Sequence, residues 1–142
     1  MIKAVFVVLD TNVLVSALWS ADGNPSQIVH MIPDRKIIPH FCEEILQEYK
    51  TVLSRSSFHF HQNRVDELLE RFVLYGRNVE ARKSDISLPD ESDRIFFDTA
   101  NESGAILITG NIKHYPSESF IFSPADFLSK FAEISHNQNK LI

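Results

Sequence analysis

The sequence predicts an α/β fold, a three-layer α/β/α sandwich around a central, mostly parallel sheet, and three observations carry that prediction. Two short apolar runs, AVFVVL at residues 4–9 and AILIT at residues 105–109, lack polar alternation and suit strands buried on both faces. Other stretches repeat their apolar residues at about 100° per residue, the period of a helix packed on one face. The two kinds of segment alternate along the chain, as parallel strands joined by helical crossovers require.

The first strand is Ala4 to Leu9, with Asp10 at its carboxyl end. Thr11 to Leu18 reads as the start of a helix. Asn24-Pro25 resembles an N-cap followed by proline at the first helical position, opening a helix to about Ile32. Lys36 to Pro39 is a short strand. Phe41 to Leu53 is helical by pattern, with Ile45, Leu46, Tyr49, Val52 and Leu53 on one arc. Arg64 to Tyr75 repeats the pattern and stops at Gly76. Val79 to Ala81 is a further short strand, followed by a polar connection through Leu88. Pro89-Asp90-Glu91-Ser92-Asp93 announces a helix carrying Ile95, Phe96, Phe97 and Ala100, ended by Gly104 before the AILIT strand. Phe120 to Phe122 is a last strand. Ser123-Pro124-Ala125-Asp126 is a capping box for a helix to about Ile134, and the polar tail from about residue 135 is expected to fray. No repeat or linker divides residues 1–142, so one domain is expected.

Composition narrows the chemistry. The 142 residues carry 14 Lys plus Arg against 19 Asp plus Glu, a formal charge of −5, and four glycines. About two-thirds of the unfolded surface can be buried at this length, enough for a core without disulfides. Cys42 is the single cysteine, which excludes a disulfide framework or a Cys-rich zinc site and fits a cytoplasmic protein. No apolar run approaches a membrane span, and no signal-peptide pattern is present. Gly23, Gly76, Gly104 and Gly110 cannot assemble a phosphate-cradling glycine loop. The acidic balance argues against a passive nucleic-acid coat while leaving room for an acidic catalytic pocket.

Sites in open α/β sheets form outside the carboxyl ends of the strands. The first strand ends in Asp10-Thr11-Asn12 and the AILIT strand in Thr109-Gly110-Asn111. Glu48 falls about 40° outside its helix's apolar arc and can lean toward that edge, whereas Glu44 falls about 80° outside. Asp93 lies in the first turn of its helix, delivered by a loop from the same side. Carboxylates converging there repel one another, and a divalent cation is the usual resolution; oxygen ligands favour Mg²⁺ or Mn²⁺. Such ions serve phosphodiester hydrolysis. Each residue also has a plain structural role available. Asp10 suits an N-cap, Glu48 a solvated helix charge, Asp93 a carboxylate at a helix N-terminus, and Thr109 and Asn111 turn chemistry.

Taken in order, VVLDTNVLVSAL, EEILQEYKTVLSR, PDESDRIFFDTA, AILITGN and FIFSPADFLSKF resemble the motifs of a PIN domain, the metal-dependent nuclease fold that includes the VapC-like toxin ribonucleases. The resemblance implies that Asp10, Glu48 and Asp93 are catalytic and hold Mg²⁺ or Mn²⁺, with water attacking RNA. It implies that Asn111 joins the metal set and that Thr11, Asn12 and Thr109 position ligands or phosphate. Arg94 and Lys113 are the nearest cations for anchoring phosphate, with Arg55 farther off. The family's fourth motif usually has Asp where this chain has Asn111, which offers a carbonyl oxygen without charge. Asp90 and Asp98 are the available substitutes, although Asp98 projects about 140° round the helix from Asp93. The partners implied are RNA, a cognate antitoxin protein and a second copy of the chain, with no membrane. Trp19 is a candidate contact for either protein partner, with packing as its alternative. A catalytically weak PIN domain that binds RNA or a protein is a second reading. A third is a phosphatase acting through a phosphorylated Asp10, although that class wants a second Asp where Asn12 stands.

Overall fold

The structure is a computed structural model that describes residues 3–140, with side chains as far as Asn137. Five strands form one sheet in the order β3-β2-β1-β4-β5, every neighbouring pair parallel. They are β1 (Val5–Leu9), β2 (Ile37–Phe41), β3 (Arg77–Asn78), β4 (Ile106–Ile108) and β5 (Ile121–Phe122). The apolar run at residues 4–9 takes the centre of the sheet, where Val5, Val7, Val8 and Leu9 are fully buried. The second run lies beside it, with Val7 opposite Ile106 and Leu9 opposite Ile108. That register puts Asp10 next to Thr109, and Asp10 N–H donates to the Ile108 carbonyl at 3.0 Å.

Six helices cover the sheet: α1 (Thr11–Trp19), α2 (Asn24–His30), α3 (Glu43–Leu53), α4 (Gln62–Tyr75), α5 (Arg94–Ser103) and α6 (Pro124–Lys140). α5 lies against β1, β2 and β4, with α3 beside it and α4 over β2 and β3. α6 packs on β1 and β5 and supports α2, which in turn holds α1. Phe72, Phe97 and Phe127 fill the core, so the abundant phenylalanine is largely packing.

Several boundaries differ from the sequence expectation for identifiable reasons. Phe41 belongs to β2, because it pairs with Asn78, and Cys42 is the N-cap of α3. Gly23 rather than Asn24 caps α2, with Pro25 still inside the first turn. The strand expected at Val79 to Ala81 is Arg77–Asn78. Gly76 ends α4 as expected, yet in extended backbone, and glycine is required there for space, since a Cβ would strike the carbonyl oxygens of Phe72 and Pro39. The chain therefore enters the sheet edge at once. Gly104 does close α5 in the left-handed region, with φ of 69°. Ser123 Oγ accepts from Asp126 N–H at 3.1 Å, the expected cap of α6. The helix does not fray at 135: Ile134 and Ser135 are buried, and Ser135 Oγ donates to the Lys3 carbonyl at 2.6 Å. The tail expectation for residues 141–142 lies outside the described residues.

Candidate active site

Asp10 occupies the N-cap position of α1, yet its side chain makes no capping hydrogen bond. Its Oδ2 accepts instead from Thr109 Oγ1 at 2.9 Å and from the Tyr115 hydroxyl at 2.8 Å. The capping role open to such a residue is thereby declined, and the carboxylate is turned across the sheet edge toward β4. Thr109, fully buried, is the hub of this edge. Its oxygen also accepts from Asn111 N–H at 3.0 Å and lies 3.4 Å from Asn12 Nδ2. Asn12 Oδ1 accepts from Gly110 N–H at 2.8 Å. The two strand-end motifs are thus tied together by side chains separated by about a hundred residues.

Asp93 differs from Asp10 in backbone, being already helical where the 3-10 turn Glu91–Asp93 runs into α5. It stands at the N-cap of α5 without capping it, while Asp90 caps the preceding 3-10 turn by accepting from Ser92 N–H at 2.9 Å. Asp93 Oδ2 is buried and has no hydrogen-bond partner among the described residues. Its nearest cationic neighbour is His114 Nδ1, 3.6 Å away, which carries charge only when protonated. Burial above all, then the negative charges of Asp10, Asp90 and Glu48, raise the Asp93 carboxyl to about 6 against the opposing pull of His114. Asp10, Glu48 and Asp93 therefore share one electrostatic environment. Glu48 is half-buried on α3 and also lines a cleft of about 930 Å³ with Glu44, Glu80, Glu91 and Asp98.

Among the described residues no group of three or more His, Cys, Asp or Glu side chains converges tightly enough to enclose a metal ion as they stand. The donor chemistry nevertheless suits a hard cation: the candidate ligands Asp10, Glu48 and Asp93 are carboxylates, and one buried carboxylate oxygen lacks a hydrogen-bond partner.

The remaining candidates divide. Thr11 is buried, with Oγ1 lacking a hydrogen-bond partner among the described residues, and Asn111 is exposed beyond Thr109. Lys113 is exposed in a 3-10 turn next to His114, and Arg55 is exposed at the far end of α3. Arg94 is otherwise engaged. Its guanidinium donates to the Ser84 and Ile86 carbonyls, to Ser84 Oγ and to both Glu91 oxygens, leaving 12% of the side chain exposed. Asp98 is engaged as well, accepting from Ser84 N–H at 3.1 Å and from Ser84 Oγ at 2.5 Å. Both residues line the cleft beside Glu48, with their polar groups taken up by these partners.

Two tyrosines belong to the site that the sequence motifs do not mark. Tyr115 lies in a loop beyond the fourth motif, and burial together with the charges of Asp10 and Asp93 holds its hydroxyl protonated as a donor to Asp10. Tyr49, read as one more apolar position of α3, is fully buried and donates to the Leu9 carbonyl at 2.5 Å. It fixes α3, and hence Glu48, against the end of β1. A buried tyrosine hydroxyl needs a partner, which is the signal both positions offered.

A family model described as PIN domain matches residues 6–113. An uncharacterized protein of Methanocaldococcus jannaschii is 32% identical over 108 residues, covering 74% of this chain and 70% of that protein. No solved structure matches.

Proposed function

Because the chain belongs to the PIN-domain family, whose members are in general nucleases that use divalent metal ions, we propose that it is a Mg²⁺- or Mn²⁺-dependent endoribonuclease with Asp10, Glu48 and Asp93 as its metal-holding carboxylates. One observation carries the reading. The Asp10 carboxylate forgoes capping α1 and turns across the sheet edge, and Asp93, whose charge it feels, leaves a buried oxygen without a hydrogen-bond partner. An unsatisfied buried carboxylate oxygen is costly, and a cation is a partner that removes that cost at Asp93.

Within that reading the chain's own residues have separate tasks. Thr109 and Tyr115 fix the rotamer of Asp10 by donating to a single oxygen, Oδ2. Asn12 ties the first strand end to Gly110 and so keeps the two halves of the edge in register. Asp93 supplies the orphaned oxygen, and Glu48 approaches from the cleft side on a helix anchored by Tyr49. Asn111 offers a neutral carbonyl oxygen at the rim. When bound, a divalent ion lowers the pKa of water and stabilises charge developing on a phosphodiester.

The test is cleavage of unpaired RNA by purified protein in Mg²⁺ or Mn²⁺ against EDTA. We expect metal-dependent cleavage that Asp10→Asn removes; undiminished cleavage by that variant would sink the assignment. The neutral, exposed Asn111 favours a second reading, a PIN domain that binds RNA without cutting it. RNA binding without cleavage under any metal would select it. The finer assignment, toxin of a toxin-antitoxin pair, predicts growth arrest on induced expression that a small cognate partner relieves. The phosphatase reading wants a second acid where Asn12 stands, and Asn12 Oδ1 there accepts from Gly110 N–H. No described helix is long and apolar enough to cross a membrane.

A further inference from the structure

At the end of α1 opposite Asp10, Trp19 is 64% exposed and stands edge-on to two phenyl rings. Its ring centroid lies 6.0 Å from that of Phe58 and 5.8 Å from that of Phe60. The two phenyl rings stack on each other at 5.4 Å and 16°. His59 between them is in the left-handed region, with φ of 56°, an unfavourable conformation for a side-chain-bearing residue. The segment that carries these rings is also electrically unlike the rest of the chain. Residues 49–65 contain Lys50, Arg55 and Arg64, all exposed, with His59 and His61 and no Asp or Glu, in a chain whose net charge is −5.

Two of the elements that carry the candidate carboxylates lead to this patch. α1 begins beside Asp10 and reaches Trp19 over about 12 Å at 1.5 Å per residue. α3 carries Glu48 and ends at Leu53, just before Arg55 and the 3-10 turn Ser56–Phe58, and α1 packs against α3.

We propose that Trp19, Phe58 and Phe60, rimmed by Arg55, Arg64 and Lys50, form an auxiliary binding site for unpaired RNA, the indole stacking on a base and the cations meeting the phosphates. The proposal rests on the nuclease reading for its ligand class. Aromatic rings beside cations, without acids, are the combination that single-stranded nucleic acid uses, because every base has a π-face and every linkage a charge. Across residues 49–65 the cations have no acid among them, Glu48 and Asp66 bounding the stretch and Asp22 lying three residues beyond Trp19.

Trp19 is the sole tryptophan, so its fluorescence reports the site directly. Wild-type protein in EDTA is titrated with an unpaired oligouridylate, and separately with a duplex of equal length. Saturable quenching by the single strand alone is expected, with affinity falling at a log–log salt slope of about −2 for three phosphate contacts. By anisotropy of labelled oligouridylate, Trp19→Leu should bind about tenfold more weakly. Arg55→Gln with Arg64→Gln should flatten the salt slope by about 1.4. Circular dichroism checks that each variant folds. Oligouridylate binding with no fluorescence response, or equal affinity in Trp19→Leu, overturns the proposal. So does self-association that Trp19→Leu abolishes while RNA affinity stays constant, since that assigns the patch to a second copy. The two readings fail separately. Quenching without cleavage in Mg²⁺ keeps the patch and removes the nuclease; cleavage without quenching does the reverse.

Discussion

Asp93 stands at the N-terminal end of α5 and Asp98 five residues on, in the middle of the helix, and the molecule treats them in opposite ways. Asp98 is saturated: Ser84 gives it two hydrogen bonds, and the Arg94 guanidinium stands 3.9 Å away. Around it the chain from Arg82 to Leu88 is strapped to α5, with Glu102 holding Arg82 and Arg94 holding Ser84 and Ile86. Asp93 has an oxygen without a hydrogen-bond donor, with Asp10, Asp90 and Glu48 as like charges and only the His114 ring, 3.6 Å away, opposing them. Under the proposed function the contrast separates a carboxylate that the fold supplies with donors from one left short of them for a ligand.

The largest expected effect concerns activity. Asp93→Asn should lower metal-dependent cleavage at least about a hundredfold, while Asp98→Asn, which keeps an acceptor for Ser84, should stay within a few fold. Comparable losses in both would erase the distinction. Next in size is stability: Asp98→Ala strands the Ser84 and Arg94 donors and should cost about 2–4 kcal/mol in urea denaturation.

Asp93→Asn should do the opposite in metal-free protein. The folded-state value of about 6 lies above the ordinary carboxylate value of 3.8. The native state therefore binds the proton more tightly than the unfolded chain does, and this contribution to stability is present below about pH 4 and lost as pH rises through 6. Removing the charge should raise stability at pH 7.5 by about 1–3 kcal/mol, with the gain vanishing at pH 4; thermal melts in EDTA across that range measure it. A destabilised Asp93→Asn at pH 7.5 would show that the carboxylate serves the fold. The smallest effect is Tyr115→Phe, which removes one of two donors to Asp10 and should lower cleavage about tenfold with little change in melting temperature.

Much of this was legible in sequence because the central strands are apolar on both faces and their ends carry Asp10-Thr11-Asn12 and Thr109-Gly110-Asn111. Such runs have few alternatives, and register follows once they pair. The edge strand at Arg77–Asn78 was misplaced because two exposed residues carry no pattern, and only their pairing with His40 and Phe41 defines them. Arg94 was a candidate phosphate anchor by proximity in sequence. Its commitment to Ser84 and Ile86 depends on a strap whose course no local signal reveals. Tyr115 escaped for the same reason, since its contact with Asp10 spans 105 positions.

Calorimetric titration of Mn²⁺ into metal-free protein addresses the central claim most directly, with wild type, Asp93→Asn and Asp98→Asn compared at pH 7.5. The account predicts binding by wild type and Asp98→Asn and its loss in Asp93→Asn. Equal binding by all three proteins, or its loss only in Asp98→Asn, would contradict it.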